Sequence, residues 1–125
     1  MTSLKPVRVD LAADVLFAVD SAKLTAVAKA TVMAAATEIN NRSAGGEIEV
    51  IGHTDSDGST SYNKDLSRRR AQAVKVALTP QVTVVGSSYQ VEGRGESEPV
   101  ADNGTAVGRK ENRRVSVIFT PKEGK

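Results

Sequence analysis

Cysteine and tryptophan are absent from the 125 residues, and the aromatic side chains amount to two phenylalanines and two tyrosines. Without cysteine there is no disulfide and no thiolate metal site, and the redox compartment is left open. With so few aromatics the core must be built from Ala, Val, Leu and Ile, and the stacking platforms that hold single-stranded nucleic acid are missing. A formal net charge of +2 is too small an excess to imply a polyanion partner. No run approaches the roughly 20 apolar residues of a membrane-spanning helix. The opening MTSLKPVRVD lacks the apolar centre of a secretion signal, so the chain is expected to be either cytosolic or an excised domain. At this length it is read as one domain over 1–125, with a core at about 7–120 and short flexible tails.

What is present divides by hydrophobic period. VRVDLAADVLFAV (7–19) reads as a first strand followed by a loop. Residues 21–41 are Ala-rich, free of Gly and Pro, and place Leu24, Val27, Ala28, Ala35 and Ile39 at helical spacing, so a first helix is expected there. SAGG (43–46) breaks it, and EIEVIGHTD (47–55) alternates like a strand before the turn-forming DSDGSTS. A second helix is predicted from Ser59 or Thr60 to Leu78, started by small hydroxyl residues and stopped by Pro80. QVTVVGSSYQVEG (81–93) and NRRVSVIFT (112–120) read as two more strands, the latter with Val115, Val117 and Phe119 on one face. The glycine-rich stretch between them has room for one helical turn. The order βαβαββ implies an α/β two-layer sandwich, two main helices packed on one face of a mixed four-stranded sheet.

In DLSRRRAQAV (65–74) three arginines stand in a row inside the second predicted helix. Because a helix turns about 100° per residue, they cannot form one patch. Arg70 falls on the apolar stripe of Leu66, Ala73, Val74 and Ala77, whereas Arg68 and Arg69 face solvent or the flank. A desolvated, unpaired guanidinium costs several kcal/mol, so Arg70 requires a carboxylate, a set of carbonyls or a wet cleft beside it. Asp55 is expected at the carboxyl end of the second strand, where open α/β sheets expose ligand crevices. Asn63 lies two turns before Arg70 on the same face, about 10 Å along the axis. Acid, amide and guanidinium together suit a zwitterion, the aspartate taking an ammonium and the arginine a carboxylate in bidentate fashion. A structural salt bridge between Asp55 and Arg70 accounts equally well for an inward arginine, and the two roles are compatible.

Other motifs lead nowhere sharper. His53, the single histidine, is expected on the strand surface and not in a metal site. DSDG lacks the later glycine and glutamate of a calcium loop: counted from Asp55, the sixth and twelfth places hold Thr60 and Leu66. Catalysis has no G-x-S-x-G elbow to support it. GRGESE lacks dinucleotide-binding spacing, and NRRV alone does not make a nucleic-acid site. No enzyme activity, metal or cofactor is expected.

The longer pattern around these residues resembles the OmpA-like, peptidoglycan-associated family. GHTDSDGSTSYNKDLSRRRAQAV is similar to that family's GHTD-x-x-G…YN-x-x-LS-x-x-RA-x-x-V block, and GRGESEPVADNGTAVGRKENRRVSV to its G-x-GE-x-x-P…N-x-T-x-x-GR-x-x-NRRV block. VLFAVDSAKL looks like its F-x-x-DSA-x-L opening segment, so the resemblance spans residues 15–117. It implies a non-catalytic domain that binds cell-wall peptidoglycan through the free amino-acid end of meso-diaminopimelate, with Asp55 holding the ammonium and Arg70 the carboxylate. It further implies pocket roles for Asn63, Thr54, Leu66 and Ser67, for Asp20 and Ser21 in the opening loop, and for Arg113 beside Asn112 at the start of the last strand. It implies a wall-facing place in the cell envelope as a fragment of a larger exported protein that anchors to the wall. Val19 replaces an aromatic found in many relatives, and proline is missing after Leu24, so the loop wall is expected to be shaped differently. The alternative is a protein-interaction module of the same fold without ligand binding.

Overall fold

A computed structural model describes residues 5–122, so residues 1–4 and 123–125 of the expected tails lie outside the described residues. Four strands, β1 (Val7–Ala12), β2 (Gly46–His53), β3 (Ser87–Gly95) and β4 (Arg114–Phe119), form one sheet in the order β1-β4-β2-β3. β4 is antiparallel to both neighbours, and β2 and β3 are parallel. Parallel neighbours need a crossover connection, which α3 (Thr60–Leu78) supplies. The other helices are α1 (Ala13–Leu16), α2 (Ala28–Arg42) and α4 (Ala106–Asn112). The mixed four-stranded α/β architecture is the one expected, with two short helices added to it.

Strand alternation separates the two faces of the sheet. Val9, Leu11, Ile48, Val50, Val91, Val115, Val117 and Phe119 project to one side, where they meet Val32, Ala35, Ala36 and Ile39 of α2 and Ala71, Val74 and Leu78 of α3. The other side carries Arg8, Asp10, Glu49, Ile51, His53, Arg114 and Ser116. Arg8 pairs with Asp10 at 3.1 Å, and Ser116 Oγ donates to Asp10 Oδ1 at 2.6 Å. His53 is 4% exposed, contrary to the strand-surface expectation. It sits in register with Arg114, whose Nη2 donates to the Glu98 carbonyl at 3.1 Å. Burial, and then the neighbouring Arg114 cation, hold the imidazole down at about 4.

Element boundaries hold where caps are explicit and move where tertiary bonds compete. α3 starts as predicted, because Ser59 Oγ accepts the Tyr62 N–H at 3.2 Å, and Pro80 falls in the 3₁₀ turn Thr79–Gln81 that follows it. α2 begins at Ala28, seven residues later than expected. Residues 21–27 are instead drawn into a loop: Thr25 N donates to Leu16 O at 2.8 Å, Thr25 Oγ1 to Val15 O at 2.9 Å, and Leu24 bridges Phe17. Within the segment read as a loop, residues 13–16 form a helical turn. β3 starts at Ser87 instead of 81, and β4 at Arg114 instead of 112, because α4 runs seven residues and ends at Asn112.

One packing detail brings the crossover helix down onto the strand ends. Gly52 of β2 and Gly93 of β3 are register partners beneath α3. A Cβ on Gly52 would lie 2.0 Å from the Ser67 carbonyl oxygen, and one on Gly93 would lie 2.3 Å from the Arg68 nitrogen. Only hydrogen fits at either place, and the helix backbone therefore rests on the sheet.

Candidate functional site

The site begins where β2 ends. Thr54 N donates to Gly95 O at 2.8 Å, continuing the pairing with β3 by one residue, and Thr54 Oγ1 donates to Asp55 O at 2.8 Å. Asp55 Oδ1 accepts the Asp57 N–H at 3.0 Å, an aspartate turn that fixes the carboxylate's rotamer. From α3, Asn63 Nδ2 donates to Asp57 O at 2.8 Å and Asp55 O at 3.4 Å. Asn63 thus ties the loop to the helix, and its amide protons are engaged by backbone rather than presented to the cleft.

Arg70 points inward as its helical position requires and is 6% exposed. Its partners are backbone carbonyls and a ring: Nε donates to Ser21 O at 2.8 Å, Nη2 to Ala18 O at 3.3 Å, and the guanidinium carbon lies 5.1 Å from the Phe17 centroid. Burial lowers its pKa from the usual value, while Asp14, Tyr62 and Asp20 act the other way. Among the described residues no carboxylate lies within 4.0 Å of it. Arg68 and Arg69 are exposed, and Arg69 pairs with Asp65 at 2.7 Å. The three consecutive arginines have separate roles.

The structural bridge between Asp55 and Arg70, the alternative explanation for an inward arginine, is not formed. Asp55 pairs instead with Arg113, whose Nη1 donates to Oδ2 at 2.5 Å. The other edge of the same guanidinium grips Asp14, Nε to Oδ1 at 2.8 Å and Nη2 to Oδ2 at 2.9 Å. The hydrogen bonds to Asp14 raise the pKa of Arg113 against the desolvation of a half-buried guanidinium, and Asp55 adds a smaller contribution in the same direction. Arg113 in turn holds Asp14 below the usual carboxylate range. Sequence reasoning missed Asp14. Its only signal is an acid standing in the otherwise apolar LAADVLFAV, three residues before Phe17.

A cleft of about 640 Å³ opens between these groups, lined by Asp55, Arg70, Asn63, Thr54, Leu66, Asp20 and Arg113 together with Asp14, Phe17, Asp57 and Tyr62. Asp20 has a left-handed backbone, φ 56°, and its Oδ1 accepts the Tyr62 hydroxyl at 3.2 Å, which tacks the opening loop to α3. Three expected residues play other parts. Ser67 is fully buried between helix and sheet, accepting the Gly95 N–H at 2.9 Å and donating to Lys64 O at 2.8 Å. Ser21 serves Arg70 with its carbonyl, and its hydroxyl oxygen accepts the Lys23 N–H at 3.0 Å. Asn112 is buried away from the rim, where its amide binds Val100 N, Ala101 N, Ala101 O and Asn103 Oδ1 at 2.7–2.9 Å. The cleft thus carries an acidic end at Asp14 and Asp55, a deeper guanidinium at Arg70, and an apolar wall from Phe17 and Leu66.

Comparison with known proteins agrees with this layout. Over 66 residues the chain is 54% identical to outer membrane porin F of Pseudomonas aeruginosa, a stretch that is 53% of this chain and 19% of the porin. The chain therefore spans about a fifth of that relative's length. Among solved structures it resembles the cell wall anchor of the type VI secretion system from Pseudomonas aeruginosa, with TM-score 0.76 and 30% identity over 94% of this chain and 82% of that one. It also resembles the peptidoglycan-associated lipoprotein of Burkholderia pseudomallei, with TM-score 0.63 and 26% identity over 86% of this chain and 88% of the other. The OmpA family profile matches residues 16–113, from α1 through Arg113, and the chain belongs to the OmpA family.

Proposed function

We propose that this domain binds cell-wall peptidoglycan without catalysis, gripping the free amino-acid end of meso-diaminopimelate in the stem peptide and so anchoring a larger envelope protein to the wall. The observation that carries the reading is that Asp55 and Arg70, on separate elements and not paired with each other, line one cleft. Asp55 receives the ammonium and the guanidinium of Arg70 receives the carboxylate. Thr54, Asn63, Leu66 and Asp20 shape the walls, Ser67 and Ser21 act from behind through packing and backbone, and Arg113 orients Asp55. Family membership supports the reading, as do the names of the two solved relatives, one a cell wall anchor and one a peptidoglycan-associated lipoprotein. The wall-facing side of the cell envelope is where such a domain works.

Hydrogen bonds to charged groups contribute about 1.5 to 3 kcal/mol each. A few of them, set against ordering and desolvation costs, hold one stem peptide modestly. A lattice of repeated stems met by several tethered domains raises the apparent affinity without new contacts.

Co-sedimentation with insoluble wall tests the proposal. The domain should pellet with wall containing meso-diaminopimelate, and Asp55→Ala and Arg70→Ala should stay in the supernatant while retaining the wild-type circular dichroism spectrum. Equal pelleting of all three proteins would leave the fold as a protein-interaction module.

A further inference from the structure

The Asp14, Arg113 and Asp55 cluster has a composition that the ammonium end of the cleft depends on. Two carboxylates share one guanidinium, so the cluster as a whole keeps one uncompensated negative charge. An arginine left with a single carboxylate prefers the two-pronged geometry in which both carboxylate oxygens are taken. Here that geometry goes to Asp14, which occupies Nε and Nη2 and leaves only Nη1 for Asp55. Asp55 consequently spends one oxygen on Arg113 and one on the Asp57 N–H, and with about four lone-pair sites on a carboxylate it retains capacity for a further donor.

We propose that Asp14 is a positioning residue for the cation subsite: by holding Arg113 at one edge, it stops that arginine from neutralising and covering Asp55. The inference rests on the proposed function, since it concerns the same Asp55, but its structural half can be read with no ligand present. Removing the Asp14 charge turns the acidic end from a net negative cluster into a neutral Asp55–Arg113 pair. Removing Arg113 as well leaves Asp55 alone with its charge. The two changes should therefore oppose each other. A residue that merely braces the fold, or one that contacts the ligand directly, has no reason to show such a reversal.

The side chain of Asp14 is 40% exposed, so Asp14→Asn should fold. A crystal structure of the ligand-free Asp14→Asn domain should show Arg113 turned onto both oxygens of Asp55. Calorimetry with a stem tetrapeptide containing meso-diaminopimelate should show Asp14→Asn binding about tenfold more weakly than wild type, the scale of one charge-assisted hydrogen bond. Asp14→Asn/Arg113→Gln should bind several-fold more tightly than Asp14→Asn, and Asp14→Glu should stay close to wild type. Unchanged binding by Asp14→Asn, or a double variant as weak as the single one, overturns the inference while leaving Asp55 and Arg70 as the ligand groups. Binding that survives Asp55→Ala overturns the proposed function, and with it the cation subsite, even if Arg113 swings as expected. An Arg113 that keeps its place in the crystal structure of Asp14→Asn also overturns the positioning role.

Discussion

The guanidinium of Arg70 donates through Nε to the carbonyl oxygen of Ser21 at 2.8 Å, joining the middle of α3 to a loop 49 residues earlier in the chain. With the second bond to Ala18 and the Phe17 ring beneath it, this side chain organises the opening loop while lining the cleft. A buried cation satisfied by carbonyls and a ring, with no carboxylate within 4.0 Å among the described residues, keeps its charge available to an anion.

Arg70→Lys separates charge from shape. Lysine keeps the positive charge but loses the planar fork that serves two carbonyls at once. The variant should be about 1 to 2 kcal/mol less stable in urea unfolding. Its hydrogen exchange should be faster at residues 18–21, and its affinity for the stem peptide should fall at least tenfold.

Gly52→Ala tests the seat of α3 on the sheet. The added methyl would collide with the Ser67 carbonyl oxygen, a backbone atom on the buried face of α3 that has no other place to go. We expect a loss of about 3 kcal/mol or more, or failure to fold. A urea midpoint within experimental scatter of wild type would contradict the packing described.

His53 makes stability depend on pH. Its folded value of about 4 lies below the ordinary 6.5, so the native state keeps the imidazole neutral while the unfolded chain protonates it. The unfolded state then binds more protons between those two values. This contribution to stability is complete above about pH 6.5, falls as pH drops, and is fully lost only below about pH 4, at about 3 kcal/mol. The groups around it are Arg114 and Arg94, which oppose protonation, and Glu98 and Asp10, which favour it. Urea unfolding at pH 7.5 and 5.0 should show a drop in wild type that His53→Gln lacks, and imidazole NMR shifts should remain those of the neutral ring at pH 5.

Asn112→Ala should loosen the loop before α4. Its amide carries four hydrogen bonds in a site with no exposure, and alanine would leave the Val100 and Ala101 amides without their acceptor. A loss of about 2 to 4 kcal/mol is expected, with deprotection of those two amides in hydrogen exchange as its signature.

Much of this was legible in the sequence where local chemistry and tertiary packing point the same way. The Ser59 cap, Pro80 and the apolar stripe set α3, and the stripe singled out Arg70 from its two neighbours. What was not legible depends on contacts distant in sequence. Leu24 and Val27 have helical spacing, yet Thr25 is bonded back to Leu16 and Val15, and a bond of that kind leaves no trace in composition. His53 occupies an alternating strand position that reads as surface, but Arg114 and the turn at Glu98 close over it. A bridge from Asp55 to Arg70 was one reading the sequence allowed, whereas the chain brings Arg113 to Asp55 from 58 residues further on, and Asp14 with it.

The central claim is that one cleft holds the amino-acid end of a diaminopimelate stem between Asp55 and Arg70. Its most direct test is an NMR titration of the isotope-labelled domain with two stem tetrapeptides, one containing meso-diaminopimelate and one with lysine in its place. The account predicts saturable shifts at residues 54–58, at residues 17–21 and at the Arg70 Nε with the first peptide, and little response to the second, which has an ammonium but no carboxylate at that end. Equal responses to both peptides, or shifts confined to surfaces away from Asp55 and Arg70, would contradict it.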